Sequence, residues 1–269
     1  MRRVALIAAL TLSGAPALAQ SPALEREFCA ARPGKGTPTC ILDQGRWQLE
    51  LGLVDFARRR DDQTRTTDWA AGDIFIRHGV SPTTEIQFGV TAYNRQSATD
   101  RTSGVSDVVE GVGDITLGIA HSLANPDGSG LSVALAAYVT APTGSRAFRA
   151  DGVEGGVILP VSVPLNDDWS LGLSPGVDVV ADSDGDGRHA AYAMAAGVGR
   201  MVGDWALGVE LWASRDEDPL APSTQATFDL TAVWSPPRMA DTQLDFGLNF
   251  GLNEDSPDVE IGIGLARRF

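Results

Sequence analysis

The chain has 269 residues, of which 43% are hydrophobic, and a formal net charge of −14. An acid excess of that size excludes nucleic acid as a partner, because phosphate backbones attract clustered bases. No segment holds eighteen uninterrupted apolar residues, so a membrane-spanning helix is excluded too.

In chain order, residues 1–19 read as a secretory signal peptide. Arg2 and Arg3 give the positive start and residues 4–12 the apolar stretch. Ala17-Leu18-Ala19 is the small-residue cleavage site, which makes Gln20 the mature N-terminus. An exported chain without a helical span can sit in a membrane only as a closed barrel. Residues 20–44 are expected to form a periplasmic segment. Cys29 and Cys40 lie within it, and in an oxidising compartment they pair as a disulfide around Pro33, Gly34, Gly36 and Pro38. Their spacing matches no zinc or CxxC pattern.

Residues 45–269 alternate apolar and polar positions in twelve segments, the period of a strand with two different faces. These are 45–56, 72–80, 84–94, 113–123, 131–141, 156–165, 169–181, 190–201, 205–214, 225–234, 242–252 and 259–269. The third is the cleanest: Ile86, Phe88, Val90 and Ala92 oppose Glu85, Gln87, Gly89, Thr91 and Tyr93. The sixth is the least secure, because Pro160 and Pro164 cannot donate to a ladder.

The connections sort into two kinds. Residues 81–83, 124–130, 166–168, 202–204 and 235–241 are short. Residues 57–71, 95–112, 142–155, 182–189, 215–224 and 253–258 are mostly longer and more polar. The two kinds alternate along the chain, as the periplasmic turns and extracellular loops of an outer-membrane barrel do. Trp47, Trp169, Trp205, Trp234 and the final Phe269 then share one rim, where amphipathic rings favour the membrane interface. The pattern predicts an all-β fold: a transmembrane antiparallel up-and-down barrel of about twelve strands. It lies in the bacterial outer membrane, with periplasmic termini.

GRWQLELGL (45–53), FIRHGVSPTTEIQFGV (75–90), GVGDITLGIAHSL (111–123), YVTAPTG (138–144) and DWSLGLSPGVDV (168–179) resemble a family of outer-membrane proteins. That family is named for the meta pathway of phenol degradation and its members are often labelled transporters. The resemblance runs from residue 45 to the C-terminus. It implies a β-barrel pore for small, aromatic or apolar compounds and brings no catalytic residues. The paired cysteines fall outside it.

Few residues suggest chemistry. Among His78, His121 and His189, only His121 has a neighbouring serine, and Ser122 points to the opposite face of the strand. No triad assembles, so the chain is not expected to be an enzyme. Asp182, Asp184 and Asp186 alternate with Ser183, Gly185 and Gly187 like the first half of a calcium loop. The twelfth position, where a bidentate glutamate belongs, is Ala193. The competing reading is a solvated acidic turn, and no other cofactor is indicated.

Strand parity turns Glu50, Asp73, Glu85, Asp114, Asp178, Glu210, Asp229, Asp245 and Glu260 inward, with Gln87, Tyr93 and Tyr138 as further pore-lining residues. The inward bases are Arg58, Arg77 and Arg268. Such a bore disfavours anions if it is open. If side chains plug it, the same acids pair with arginines, threonines and tyrosines.

The expected function is a passive channel or uptake protein for small molecules. The alternative is a non-conducting structural or adhesive barrel acting through its extracellular loops. Expected partners are outer-membrane lipid and lipopolysaccharide, a small-molecule solute, and the barrel assembly machinery reading the strand that ends at Phe269.

Overall fold

The computed structural model describes residues 26–239 and 241–269. The signal peptide read over residues 1–19 lies outside the described residues. Fourteen strand segments follow one another: β1 (Trp47–Arg60), β2 (Thr64–Ser81), β3 (Thr84–Asp100), β4 (Ser106–Gly111), β5 (Ile115–Ala124), β6 (Ser132–Ala141), β7 (Glu154–Ile158), β8 (Val161–Pro164), β9 (Trp169–Ala181), β10 (Arg188–Val202), β11 (Trp205–Asp216), β12 (Ser223–Trp234), β13 (Thr242–Gly251) and β14 (Val259–Arg268).

Each strand pairs antiparallel with its neighbours, and β1 pairs with β14 while β9 pairs with β10, so the sheet closes. The segments β4 and β5 share one position beside β3, and β7 and β8 share one between β6 and β9. The wall is therefore a twelve-strand barrel. The break between β7 and β8 falls at Leu159-Pro160, where proline has no N–H to give. The carbonyl of Pro160 still accepts from Ala134, and Leu159 donates to Pro175.

Sidedness is the reverse of a soluble domain. Leu117 (60% exposed), Leu211 (55%), Val139 (51%) and Ile86 (47%) face outward. Gln48, Glu50, Glu85, Thr227, Asp229 and Asp245 are buried inside. Aliphatics on the outside of a closed sheet with every edge paired belong against acyl chains, so the chain is an outer-membrane barrel. Trp47, bonded to Phe269 through both backbones, stacks on His78 at 4.0 Å, and Trp205 faces Trp234 at 6.2 Å. The aromatics expected at one rim lie there, as does Arg26, whose carbonyl accepts from Arg268.

Two features differ from the sequence reading. Residues 57–71 and 95–112 are largely strand, because β1, β2 and β3 run on beyond the apolar belt and β4 pairs with β3. Their threonines keep strand propensity after the hydrophobic alternation has ended. Second, β1 bulges between Gly52 and Val54, leaving both Leu53 and Val54 exposed. The faces exchange there: Asp55 turns inward opposite Gly262, while Arg58 stands opposite Val259 on the outward face. On β2 the exchange falls at Gly72, whose φ of 66° suits glycine. Trp69, packed on outward Phe56, faces Arg95, so Tyr93 two residues earlier is also outward. Arg58 and Tyr93, expected in the bore, are therefore on its outer wall.

Candidate functional site in the bore

Residues 29–42 touch β1, β2, β3, β9, β11, β13 and β14. A segment that meets strands all round a closed cylinder lies within it. The stretch expected to be a free periplasmic segment is, over these residues, a hairpin folded up into the bore. Its free N–H groups and bases find the inward carboxylates there, which explains the placement.

At the neck of the hairpin, Cys29 and Cys40 form a disulfide with Cα atoms 6.5 Å apart. Arg77 straps this neck to the wall. Its Nη1 donates to the Cys29 carbonyl at 2.9 Å and its Nη2 to the Cys40 carbonyl at 2.9 Å. The same guanidinium bonds Glu85 at 2.7 Å and 3.0 Å and Glu50 at 3.2 Å. Gln48 donates to the Cys29 carbonyl and to Glu50. Glu50 also accepts from the backbone of Ala31, and Glu85 from that of Leu42. Two carboxylates and one guanidinium, all buried, are thus saturated by each other and by the hairpin.

The tip, residues 33–36, is held differently. Lys35 reaches Glu260 at 2.5 Å and lies 4.5 Å over the Trp212 ring. The N–H groups of Lys35 and Gly36 donate to Glu210. Arg32, just before the tip, lies among Asp55 (3.1 Å), Asp245 (3.3 Å) and Asp73 (3.6 Å). Thr37 exchanges hydrogen bonds with Ser174. Glu260, Asp55 and Asp73 are more exposed than the carboxylates at the neck, whereas Asp245 is as buried as they are.

The hairpin does not fill the bore. A cavity of 310 Å³ separates it from β3, β5, β6 and β7, lined by Phe75, Ala120, Ala134, Ala136 and Ile158 with Gln87 and Tyr138. Another of 250 Å³ lies on the side of β9 to β12. Beyond the tip, a space of 370 Å³ is bounded by Arg32, Pro33 and Phe148. Phe148 comes from the connection between β6 and β7, which Asp114 ties down by accepting from Gly144 and Ala150 at 2.7 Å.

Tyr138 donates to Asp178 at 2.5 Å across β7. Gly156 lies between them, and a Cβ there would come within 1.7 Å of the Asp178 carboxylate. Gln87 donates to Glu85, and Asp229 accepts from Thr227.

The acidic turn is committed to local contacts. Asp182 meets His189 at 2.7 Å, and Asp184 accepts from the Asp186 N–H. Among the described residues no group of three or more His, Cys, Asp or Glu is placed to hold a metal. Nearby Asp218 is held at about 2 by hydrogen bonds from the backbones of Leu220, Ser183 and Ala221, against the opposing effect of its burial. Nor do the histidines assemble a nucleophile: His121 meets Thr84, while Ser122 bonds the Ala124 carbonyl.

Arg32, Lys35, Asp55, Ser174 and Trp212 were not singled out by the sequence reading. The available signal was complementarity, since the cysteine-bounded segment carries Arg32 and Lys35 ahead of a run of strands with acidic inner faces.

A family model described as "Putative MetA-pathway of phenol degradation" matches residues 30–269. Among solved structures, an outer membrane channel from Pseudomonas putida F1 superposes with a TM-score of 0.67 at 18% identity, covering 88% of this chain and 99% of that one. The β domain of the Bordetella autotransporter BrkA gives 0.55 at 12% identity, over 84% of this chain and 100% of that one. The translocator domain of NalP from Neisseria meningitidis gives 0.51 at 12%, over 84% and 89%. These are channel and translocator barrels, not enzymes. No curated protein sequence matches significantly. At such identities the likeness establishes the barrel and leaves its work to the site.

Proposed function

The chain belongs to the family whose model it matches, and we propose that this member is a passive outer-membrane channel or uptake protein for small molecules. The observation that carries this reading is the divided bore: the hairpin leaves open space on both flanks and beyond its tip, largely apolar toward β5 to β7 and mixed elsewhere. Carboxylates remain in excess over Arg32, Lys35, Arg77 and Arg268 along the lining, so the path disfavours anions. The termini face the periplasm, because the short turns lie at their end and the long hairpins at the other. The terminal strand ending at Phe269 is the element the assembly machinery reads.

Conductance across a planar bilayer under a salt gradient tests the reading. A small conductance with a cation-favouring reversal potential is expected, and anion selectivity overturns the charge assignment. A second reading, a non-conducting barrel acting through its loops, is favoured by how firmly the hairpin is fastened. Folded protein that carries no current would select it.

A further inference from the structure

The bulge in β1 has an effect on the outer wall. Beyond it the outward register reads Phe56, Arg58, Arg60 on β1 and Trp69, Thr67, Arg65 on β2. Phe56 and Trp69 pack at 4.7 Å, an aromatic pair on the lipid-facing side. The arginines stand one and two outward positions further from the termini. Register brings Arg60 directly opposite Arg65, and Arg58 opposite Thr67 on the diagonal from Arg65. Like charges so placed repel.

Asp258 answers Arg60 at 2.8 Å. Neither Arg58 nor Arg65 has an ion-pair partner among the described residues. The Nε of Arg58 is buried with no acceptor. A chain with a net charge of −14 thus keeps two unanswered guanidiniums together, beside threonine hydroxyls, just past an aromatic belt. That height on a membrane protein is the headgroup layer, where the available anions are phosphates. Guanidinium geometry matches phosphate oxygens in pairs.

We propose that Arg58 and Arg65 form a docking site on the outer wall for a phosphate of the outer-leaflet glycolipid. The site rests on the orientation proposed above and not on conduction. Phosphate oxygens accept from both guanidiniums and relieve the Arg60–Arg65 repulsion, while the acyl chains lie along Phe56, Trp69 and the aliphatics below.

The test is lipid retention by purified, folded barrel, read by native mass spectrometry with lipid A, with dephosphorylated lipid A, and with inorganic phosphate alone. Lipid A is expected to stay bound to the wild type. The R58Q/R65Q double variant should bind it roughly tenfold or more weakly, on the scale of about 1 kcal/mol per basic residue at a headgroup surface. R267Q, which changes an outward arginine at the opposite rim, should bind like wild type. Dephosphorylated lipid A should bind the wild type as weakly as lipid A binds the double variant, and inorganic phosphate should not compete at millimolar levels. Equal binding of both lipid forms by the wild type, or undiminished binding by the double variant, overturns the proposal. If the double variant fails to assemble, the two lipid forms on wild-type protein still decide it. Protease cleavage of the β11–β12 connection on intact cells reads the orientation separately.

Discussion

The neck and the tip of the hairpin are both bound to the barrel wall, and by different means. The neck is closed by a disulfide and strapped by Arg77, whose partners Glu50 and Glu85 are wholly buried. The tip itself is held by Lys35 against Glu260, which retains solvent contact, while Arg32 just before it shares one buried carboxylate, Asp245, with the more exposed Asp55 and Asp73. A buried charge network is strong only while complete, because removing one member leaves the others unpaired in a low dielectric. A partly exposed pair such as Lys35–Glu260 is worth less and breaks singly. The neck is therefore the anchor, and the tip is the part that can adjust to a passing solute.

The largest effect should come from breaking the anchor. Arg77→Met strands Glu50 and Glu85, and folded stability in denaturant titrations should fall by about 3–5 kcal/mol. An unchanged midpoint would mean that the buried network does not anchor the neck. Opening the disulfide by Cys29→Ser with Cys40→Ser should cost less, on the order of 2–4 kcal/mol for a loop of this size. The same titration measures it, and the barrel should still assemble.

Gly156→Ala tests the wall without touching the hairpin. The added methyl collides with Asp178 and separates it from Tyr138, at a cost of about 1–3 kcal/mol. A neutral result would mean that β7 moves freely around that pair. The smallest change in stability belongs to the tip: Lys35→Ala should leave the unfolding midpoint near wild type yet move the reversal potential further toward cations. A large loss of stability there, with no change in selectivity, would reverse the assignment of neck and tip.

Much of the barrel is legible in the sequence because its two environments are chemically opposite. Leu117, Ile119 and Leu135 alternate with Gly118, Ala120 and Ala134 wherever lipid lies on one side, and strand boundaries follow. Where β1 to β4 leave the membrane, water lies on both sides and the alternation vanishes, so residues 57–71 and 95–112 read as loop. Parity reasoning holds for Glu50, Arg77, Glu85 and Asp245 and fails for Arg58 and Tyr93. An extra outward residue at Leu53-Val54 and the left-handed Gly72 invert everything beyond them, and neither leaves a mark in hydrophobic periodicity. The hairpin was hidden for another reason. Its short polar sequence has no periodicity, and its place is fixed by acids contributed from six different strands.

The central claim is that this hairpin occupies the bore and limits passage through it. The most direct measurement is single-channel conductance of a chain beginning at Asp43, compared with one beginning at Gln20. Removing the hairpin should raise conductance several-fold and strengthen the preference for cations, because carboxylates lose Arg32 and Lys35. Equal conductance from the two chains, both folded, would contradict the account.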